Sequence, residues 1–256
     1  MIYTIKNDYL TLQVSLDAAQ MHSLKRNNDD YEYIWNGDPT YWKGRNPILF
    51  PQISSTSTKT NMINGKTYPM GNHGFARNSI FELVDKKEDS ITLLLRENEE
   101  TLKQYPFKFE LYVTYTLNDE LLEITYKIKN TDTQVLPFGF GLHPAFNVEK
   151  DYKDTKLTFD NGQELVVNKE LFEKYPTYYV KPTPSSATLL SNNHSITLSF
   201  EGFRHLAIWS PFAPFVCVEP WMNLGPNDSD EFQERAEYAH LDSNQSIEYK
   251  YSILAK

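Results

Sequence analysis

The segment from 109 to 128 reads FELYVTYTLNDELLEITYKI, and its alternation of apolar and polar residues decides the fold class. The pair Asn118-Asp119 is a turn signal that divides this segment into two halves. The apolar positions of the two halves are Phe109, Leu111, Val113, Tyr115 and Leu117, then Leu122, Ile124, Tyr126 and Ile128. A period of two on both sides of a turn is typical of an antiparallel hairpin with one buried face and one solvated face.

Outward from this hairpin, short apolar and aromatic segments recur at small intervals with turn residues between them. The further strands that this pattern predicts are Leu10–Leu16, Tyr31–Trp35, Ile80–Val84, Ile91–Leu95, Ser195–Phe200, His205–Trp209, Phe215–Val218 and Ile247–Leu254. Helical periodicity is confined to Glu97–Tyr105 and Asp230–Glu237, and neither is long enough for the crossover of a parallel sheet. We therefore predict an all-β fold, a large antiparallel sandwich with very little helix, formed by residues 1–256 as a single domain.

The charge balance argues against a nucleic-acid partner. Lys and Arg number 25 against 34 Asp and Glu, a formal net charge of −9, whereas binding to phosphates needs a basic face. The first residues show no basic segment followed by a long apolar one, and no run of about 18 apolar residues occurs. We expect a cytoplasmic protein that does not bind membranes and is a monomer or a homodimer.

His143 and Glu219 stand out because each lies in a short aromatic stretch with little charge. Residues 136–147 read LPFGFGLHPAFN, and residues 213–221 read APFVCVEPW. A carboxylate in an apolar run is costly unless something binds it, and a proton donor with a proton acceptor is what general acid–base catalysis requires. Taken alone, His143 is more often a hydrogen-bonded core histidine, and Glu219 could instead form a salt bridge with Arg45 or Arg77.

Two further segments have the same character. Residues 42–51 read WKGRNPILFP, and residues 71–77 read GNHGFAR. Each places polar side chains among glycine, proline and aromatic residues, as a cleft that orients a polyhydroxylated ring would. The candidates here are Arg45, which could also be a surface arginine, and the pair His73 and Arg77.

Other site types fit the sequence less well. The chain has no GxxxxGK[ST] or GxGxxG loop for nucleotides and no GxSxG elbow of a serine hydrolase. The glycines before His143 resemble part of a cupin metal motif, but the companion His-x-His pair is missing, so we predict no metal. The single cysteine, Cys217, lies in an apolar run and is expected to be a buried, inert thiol.

Taken in order along the chain, the four segments resemble the aldose 1-epimerase (galactose mutarotase) family, in particular its LacX-like branch. The resemblance implies a large antiparallel β-supersandwich that interconverts the α- and β-anomers of free aldoses without a cofactor. It also implies a small sugar molecule as the partner of the site.

The resemblance assigns a role to each of five residues. Glu219, in Val-Glu-Pro-Trp, matches the general base, and His143, in Gly-Leu-His-Pro-Ala-Phe, matches the general acid. His73 matches the first active-site histidine, which hydrogen-bonds the sugar, and Arg45 an arginine that binds sugar hydroxyls. Arg77 resembles the arginine of the HGFAR motif in members that act on hexose phosphates. With the reference pKa of glutamate, about 4.3, Glu219 is expected to be ionised at neutral pH, where His143 can carry a proton.

The remaining positions of the resemblance are less specific. Asn72 is a further candidate for sugar binding, and Trp221 and Phe146 could form pocket walls or pack in the core. The family's sugar-binding aspartate has no counterpart in residues 205–211, where Trp209 or Ser210 could replace it.

Two other functions remain open from the sequence. The same scaffold could act on hexose 6-phosphates, with Arg45 and Arg77 binding the phosphate. Alternatively, the chain could be a non-catalytic carbohydrate-binding protein, which would need the aromatic residues and arginines but not the pair of His143 and Glu219.

Overall fold

A computed structural model describes residues 1–191 and 193–256. In chain order its strands are β1 (Ile2–Lys6), β2 (Leu10–Ser15), β3 (Met21–Arg26), β4 (Ile48–Leu49), β5 (Thr60–Ile63), β6 (Lys66–Pro69), β7 (Glu82–Lys86), β8 (Ser90–Arg96), β9 (Phe109–Asn118), β10 (Leu121–Asn130), β11 (Leu136–Phe138), β12 (Gly141–Leu142), β13 (Ala145–Asn147), β14 (Lys156–Phe159), β15 (Glu164–Val166), β16 (Tyr178–Tyr179), β17 (Ser186–Ser191), β18 (His194–Ser199), β19 (His205–Trp209), β20 (Phe215–Trp221), β21 (Ala239–Leu241) and β22 (Ser246–Ala255). The helices are α1 (Glu99–Leu102) and α2 (Lys169–Lys174), with 3-10 turns at Ala76–Asn78, Lys150–Tyr152 and Phe232–Glu234. Within the described ranges, none of these helices has the length and apolar character needed to span a membrane.

Two large sheets contain most of the strands. The larger sheet has nine strands in the order β15-β14-β17-β18-β22-β10-β9-β8-β7. The second has six, in the order β16-β19-β20-β12-β4, with β13 also paired to β20. All pairings between these strands are antiparallel, which confirms the predicted all-β antiparallel class.

The hairpin predicted from residues 109–128 forms β9 and β10 inside the nine-stranded sheet. Val113 lies opposite Tyr126 and Tyr115 opposite Ile124, and the apolar face predicted from the alternation is buried in the main core. This register places the apolar side chains of the alternation on one face, whereas a slip by one residue would turn those of one strand to the other face.

The same alternation in β20 gives the six-stranded sheet two different faces. Val216 and Val218 pack in the main hydrophobic core together with residues of the nine-stranded sheet. Cys217 and Glu219 therefore point to the opposite face, because successive side chains of a strand alternate. The alternation along β20 thus places the buried carboxylate of Glu219 on the outer side of the sandwich.

One predicted strand is wrong. Residues 31–35 form no strand, and only Ile34 makes an isolated bridge, with Phe146. The Glu32 carboxylate accepts the backbone N–H groups of Leu24 and Ile34 at 2.9 and 3.1 Å, and the Asn147 amide donates to the carbonyls of Glu32 and Ile34 at 2.7 and 3.0 Å. Side chains thus take some of the hydrogen bonds that a continuous strand ladder would have used, while the N–H groups of Tyr33 and Trp35 donate to backbone carbonyls.

The two predicted helices are each reduced to about one turn. In Glu97–Tyr105 only α1 is helical, and Asn98 caps its start by accepting the N–H groups of Glu100 and Thr101. In Asp230–Glu237 only the 3-10 turn Phe232–Glu234 forms.

Candidate active site

A cavity of about 320 Å³ opens on the outer face of the six-stranded sheet. Six of the eight site residues expected from the sequence line it, namely Asn72, His73, Arg77, His143, Glu219 and Trp221. The other lining residues are Trp42, Ser54, Thr177, Tyr179 and Trp209. All four sequence segments therefore contribute to one site. The segment 42–51 contributes Trp42 rather than Arg45, the residue expected from the sequence.

Glu219 lies at the floor of this cavity in β20, opposite Ala207 of β19, and only 2% of it is exposed. Its Oε2 is 3.3 Å from Nε2 of His143, but the two atoms are not aligned as a hydrogen bond. Burial raises the pKa of Glu219 well above its ordinary value, and the positive charge of Arg77 opposes this rise. The reference pKa of a solvated glutamate therefore does not describe Glu219, because the surrounding sheet removes the water that would stabilise the charge.

His143 follows β12, where Gly141 lets the backbone approach the Trp221 ring; a Cβ on Gly141 would lie 2.7 Å from Cδ1 of that ring. Its imidazole stacks on Trp42 with ring centroids 4.8 Å apart and meets the edge of Trp209 at 5.4 Å. Burial, together with His73 and Arg77, lowers the pKa of His143 well below its ordinary value.

Burial acts on Glu219 and His143 in the same sense, because it disfavours the charged form of each group. Burial favours the carboxylic acid with a neutral imidazole, and one proton transfer gives the carboxylate with an imidazolium. Both forms have the same net charge, so a bound molecule that hydrogen-bonds the two groups can select either one. This arrangement can deliver a proton to one atom of a ligand and remove a proton from another.

His73 is a neutral hydrogen-bond donor at the side of the cavity. Its Nδ1 accepts the backbone N–H of Ser54 at 2.9 Å, so the proton of the neutral ring must be on Nε2. Burial, with a smaller effect of Arg77, lowers the pKa of His73 to about 3. The ring lies edge-on to His143 with centroids 5.8 Å apart, and 9% of the residue is exposed.

Arg77 supplies positive charge to the cavity from the 3-10 turn Ala76–Asn78 and is half-buried. It is the residue whose charge lowers the pKa of Glu219. Asn72 lies at the exposed rim.

Replacing Arg77 by Met is expected to raise the pKa of Glu219 further, because the charge that opposes the effect of burial is removed. At a given pH the carboxylate fraction of Glu219 should then fall. A carbon-13 NMR titration of the Glu219 carboxyl measures this shift. The matched control is Arg96→Met on the nine-stranded sheet, where the arginine lies beside Glu82 and Glu110. An unchanged Glu219 pKa in Arg77→Met would show that Arg77 does not act on the site.

Two residues predicted for the site lie elsewhere. The Arg45 guanidinium donates to the carbonyl of Asn36 and packs against Gly37, outside the lining of the cavity. Phe146 is fully buried in the main core, because it lies opposite Val216 and both side chains point to that side of the sheet. The prediction of a pocket wall at Phe146 is replaced by its alternative, core packing.

Four lining residues were not among the sequence candidates for the site, namely Trp42, Ser54, Thr177 and Tyr179. Thr177 and Tyr179 come from the edge of the sheet, where Tyr179 lies opposite Ala207 and Ala207 opposite Glu219. Such a row across three strands cannot be read from the sequence before the pairing is known. Trp42 lies in the segment 42–51, which the sequence analysis had already selected, so this residue could have been predicted for the site.

Of the two replacements considered for the missing aspartate, Trp209 lines the cavity. Ser210 is buried and forms a 2.7 Å hydrogen bond with the Tyr152 hydroxyl. The wall on this side is therefore aromatic.

His143, Cys217 and Glu219 could each offer one ligand to a metal, with all three ligand atoms within 4.8 Å of one another. Burial raises the pKa of the Cys217 thiol well above its ordinary value, which favours the thiol over the thiolate that a metal requires. Cys217 is fully buried, as expected from the sequence.

The fold and this cavity define the class of galactose mutarotase-like proteins. A galactose mutarotase-like protein from Lactobacillus casei ATCC 334 superimposes with a TM-score of 0.91 at 31% identity, covering 100% of both chains. Protein LacX of Lactococcus lactis subsp. lactis is 31% identical, covering 88% of each chain. A putative glucose-6-phosphate 1-epimerase of Cenchrus ciliaris is 26% identical, covering 70% of this chain and 66% of the relative.

The family model described as aldose 1-epimerase matches residues 1–205. The chain belongs to the aldose 1-epimerase family. Its resemblance to that family, inferred from four short segments, is confirmed.

Proposed function

We propose that this protein is a mutarotase that interconverts the α- and β-anomers of a free hexose by acid–base ring opening and closure. The observation that carries the proposal is the buried pair of Glu219 and His143, 3.3 Å apart at the floor of a cavity of about 320 Å³. This volume is at the lower end of the range for small-molecule sites, as a single sugar ring requires. The residues that line the cavity come from positions between Trp42 and Trp221. This spread supports a single carbohydrate-active domain formed by residues 1–256.

In the proposed reaction, the Glu219 carboxylate takes the proton of the anomeric hydroxyl while the His143 imidazolium gives a proton to the ring oxygen. The bond between C1 and the ring oxygen breaks, and the open-chain aldehyde forms. Rotation about the C1–C2 bond presents the other face of the aldehyde. The reverse proton transfers then close the ring as the other anomer and restore both groups.

The sugar selects the charged form of the pair. An anomeric hydroxyl donates a hydrogen bond to the carboxylate, and a ring oxygen accepts one from the imidazolium, so each charge gains a partner; within the described residues, Oε2 of Glu219 and Nδ1 of His143 have none. Arg77 adds to this preference because it lowers the pKa of Glu219. His73 donates from Nε2 to a further sugar oxygen, and its pKa of about 3 keeps it neutral and out of the proton transfer.

Polarimetry of freshly dissolved α-D-glucose and α-D-galactose tests this function. The proposal expects the protein to accelerate the approach to the equilibrium rotation of at least one of them. A time course equal to that of buffer for both sugars would argue against a free-hexose mutarotase.

A hexose 6-phosphate is the second candidate substrate, favoured by the presence of Arg77 in the cavity and by the name of the Cenchrus ciliaris relative. Arg45, the other arginine expected to bind phosphate, donates instead to Asn36. A single arginine that also faces Glu219 is a weak site for a dianion, so the free sugar is the better supported substrate.

Salt dependence separates the two substrates. For a free hexose, KM should stay within about twofold between roughly 0.05 and 0.5 M salt, because no net charge is bound. Phosphate binding would be screened, and KM for a hexose 6-phosphate would rise steeply over the same range. Turnover of hexose 6-phosphates alone, with this steep rise, would assign the second function.

A non-catalytic binding protein is less well supported. Such a protein would have no use for a carboxylate that is 2% exposed and whose Oε2 has no hydrogen-bond partner within the described residues. Burying a carboxyl group without a hydrogen-bond partner costs folding free energy. Such a cost is typical of catalytic groups, whose pKa is shifted for proton transfer.

A further inference from the structure

Arg235 is an unusual residue because it is 4% exposed and the hydrogen bonds of its guanidinium go to neutral groups. One terminal nitrogen donates to Oδ1 of Asn61 at 2.7 Å. The other is 3.3 Å from Oε1 of Gln52 and 3.3 Å from the Tyr238 hydroxyl. Burying a positive charge that has only neutral acceptors costs folding free energy, so a role for Arg235 is sought in the groups that it contacts.

Gln52, one of these neutral groups, is fully buried, and its side-chain amide makes four hydrogen bonds. Its Oε1 accepts from Asn61 at 2.9 Å and from Arg235. Its Nε2 donates to the carbonyls of Ser54 and Gly71, both at 3.2 Å. Because a guanidinium can only donate, Arg235 forces the oxygen of the Gln52 amide toward itself and the NH2 group toward the two carbonyls.

The two carbonyls belong to the segments that hold His73. The backbone N–H of His73 donates to the Ser54 carbonyl at 2.8 Å, and the backbone N–H of Ser54 donates to Nδ1 of His73 at 2.9 Å. Ser54 and His73 both have left-handed backbones, with φ of 58° and 65°. Non-glycine residues rarely adopt this conformation unless the surroundings impose it, and Gln52 binds the backbone at both segments.

We propose that Arg235 is a positioning residue for His73. It orients the Gln52 amide, Gln52 holds the Ser54 and Gly71 carbonyls, and the Ser54 N–H keeps Nδ1 of His73 unprotonated. The Nε2–H of His73 is thereby fixed as the donor that faces the cavity. The catalytic consequence of this chain rests on the proposed function, whereas the tautomer of His73 does not.

Nitrogen-15 NMR of the imidazole nitrogens tests the proposal directly. In the wild type, His73 should show a protonated Nε2 and an unprotonated, hydrogen-bonded Nδ1. Gln52→Glu keeps acceptors for Arg235 and Asn61 but has no donor for the two carbonyls, and Arg235→Met removes the charged donor to Oε1 of Gln52, leaving Asn61 as the donor to that oxygen. Both variants should lose the single tautomer, and kcat should fall on the order of 10²-fold with a smaller change in KM.

The matched control is Tyr238→Phe, which removes one acceptor of Arg235 and leaves the bond to Gln52 in place. It should keep the wild-type tautomer and kcat, even if the protein unfolds at a lower temperature. If Arg235→Met does not fold, Gln52→Glu carries the test, since its carboxylate can pair with Arg235.

A folded Arg235→Met or Gln52→Glu with the wild-type His73 tautomer and kcat would overturn the proposal. A wild-type His73 protonated on Nδ1 would overturn it as well. The two proposals can fail separately. If the wild type turns over no aldose, the proposed function fails. The positioning of His73 by Arg235 still stands if Gln52→Glu and Arg235→Met lose the single tautomer and Tyr238→Phe keeps it.

Discussion

Glu219→Gln is expected to lose nearly all anomerisation activity and still bind sugar. The amide has nearly the shape of the carboxylate and can accept a hydrogen bond from the anomeric hydroxyl, but it cannot take up the proton. Loss of one acid–base group typically lowers turnover by about 10²- to 10⁴-fold. Polarimetry gives the rate, and an NMR titration of the Trp221 indole, which lines the cavity, gives the binding.

A second glutamate provides the control. Glu237 lies 2.8 Å from Nε2 of His205 on the protein surface, so Glu237→Gln alters another pair of the same two residue types. That variant should turn over sugar like the wild type. Wild-type rates in Glu219→Gln would contradict the assignment of the base.

Gly74→Ala is expected to destabilise the fold by about 3 kcal/mol and to disturb the site. Gly74 has a φ of 70°, which costs an alanine about 1–2 kcal/mol. A Cβ there would lie 2.2 Å from the Phe50 carbonyl oxygen and 2.5 Å from its carbon, and overpacking of this kind typically costs about 1–3 kcal/mol. Both atoms belong to backbone, which cannot turn aside as a side chain would. Since His73 is the preceding residue, turnover should fall too.

Urea unfolding measures the effect, and Gly65→Ala is the matched control. Gly65 has a φ of 72°, but a Cβ there would meet nothing within 4 Å. Its alanine variant should therefore cost only the backbone term, about 1–2 kcal/mol. Equal losses of stability in the two variants would show that the approach of Gly74 to Phe50 is not the cause.

The fold was readable from the sequence where a period of two ran for many residues. In β9 and β10 the apolar positions of the alternation are buried, because one face of a central hairpin must meet the core. The strand predicted at residues 31–35 failed because aromatic content was the only signal. Several hydrogen bonds of that segment go to the side chains of Glu32 and Asn147, and Asn147 is 115 residues away from Glu32.

The sequence predicted the location of the His143 and Glu219 side chains but not that of the Arg45 side chain. His143 and Glu219 stand on strands or directly beside them, so their sequence setting placed them together. Arg45 has a flexible side chain, and a local acceptor at Asn36 holds it away from the cavity. A reference pKa describes a solvated carboxyl, whereas the pKa of Glu219 is raised by burial that comes from residues far apart in the chain.

The most direct test of the account is magnetisation transfer between the anomeric protons of a hexose at equilibrium. Saturating the α-H1 signal of glucose or galactose should reduce the β-H1 signal when the wild-type protein is present, and Glu219→Gln should abolish this transfer. If the wild type gives the same β-H1 intensity as buffer for both sugars, it does not exchange their anomers. The proposal of a free-hexose mutarotase would then be contradicted.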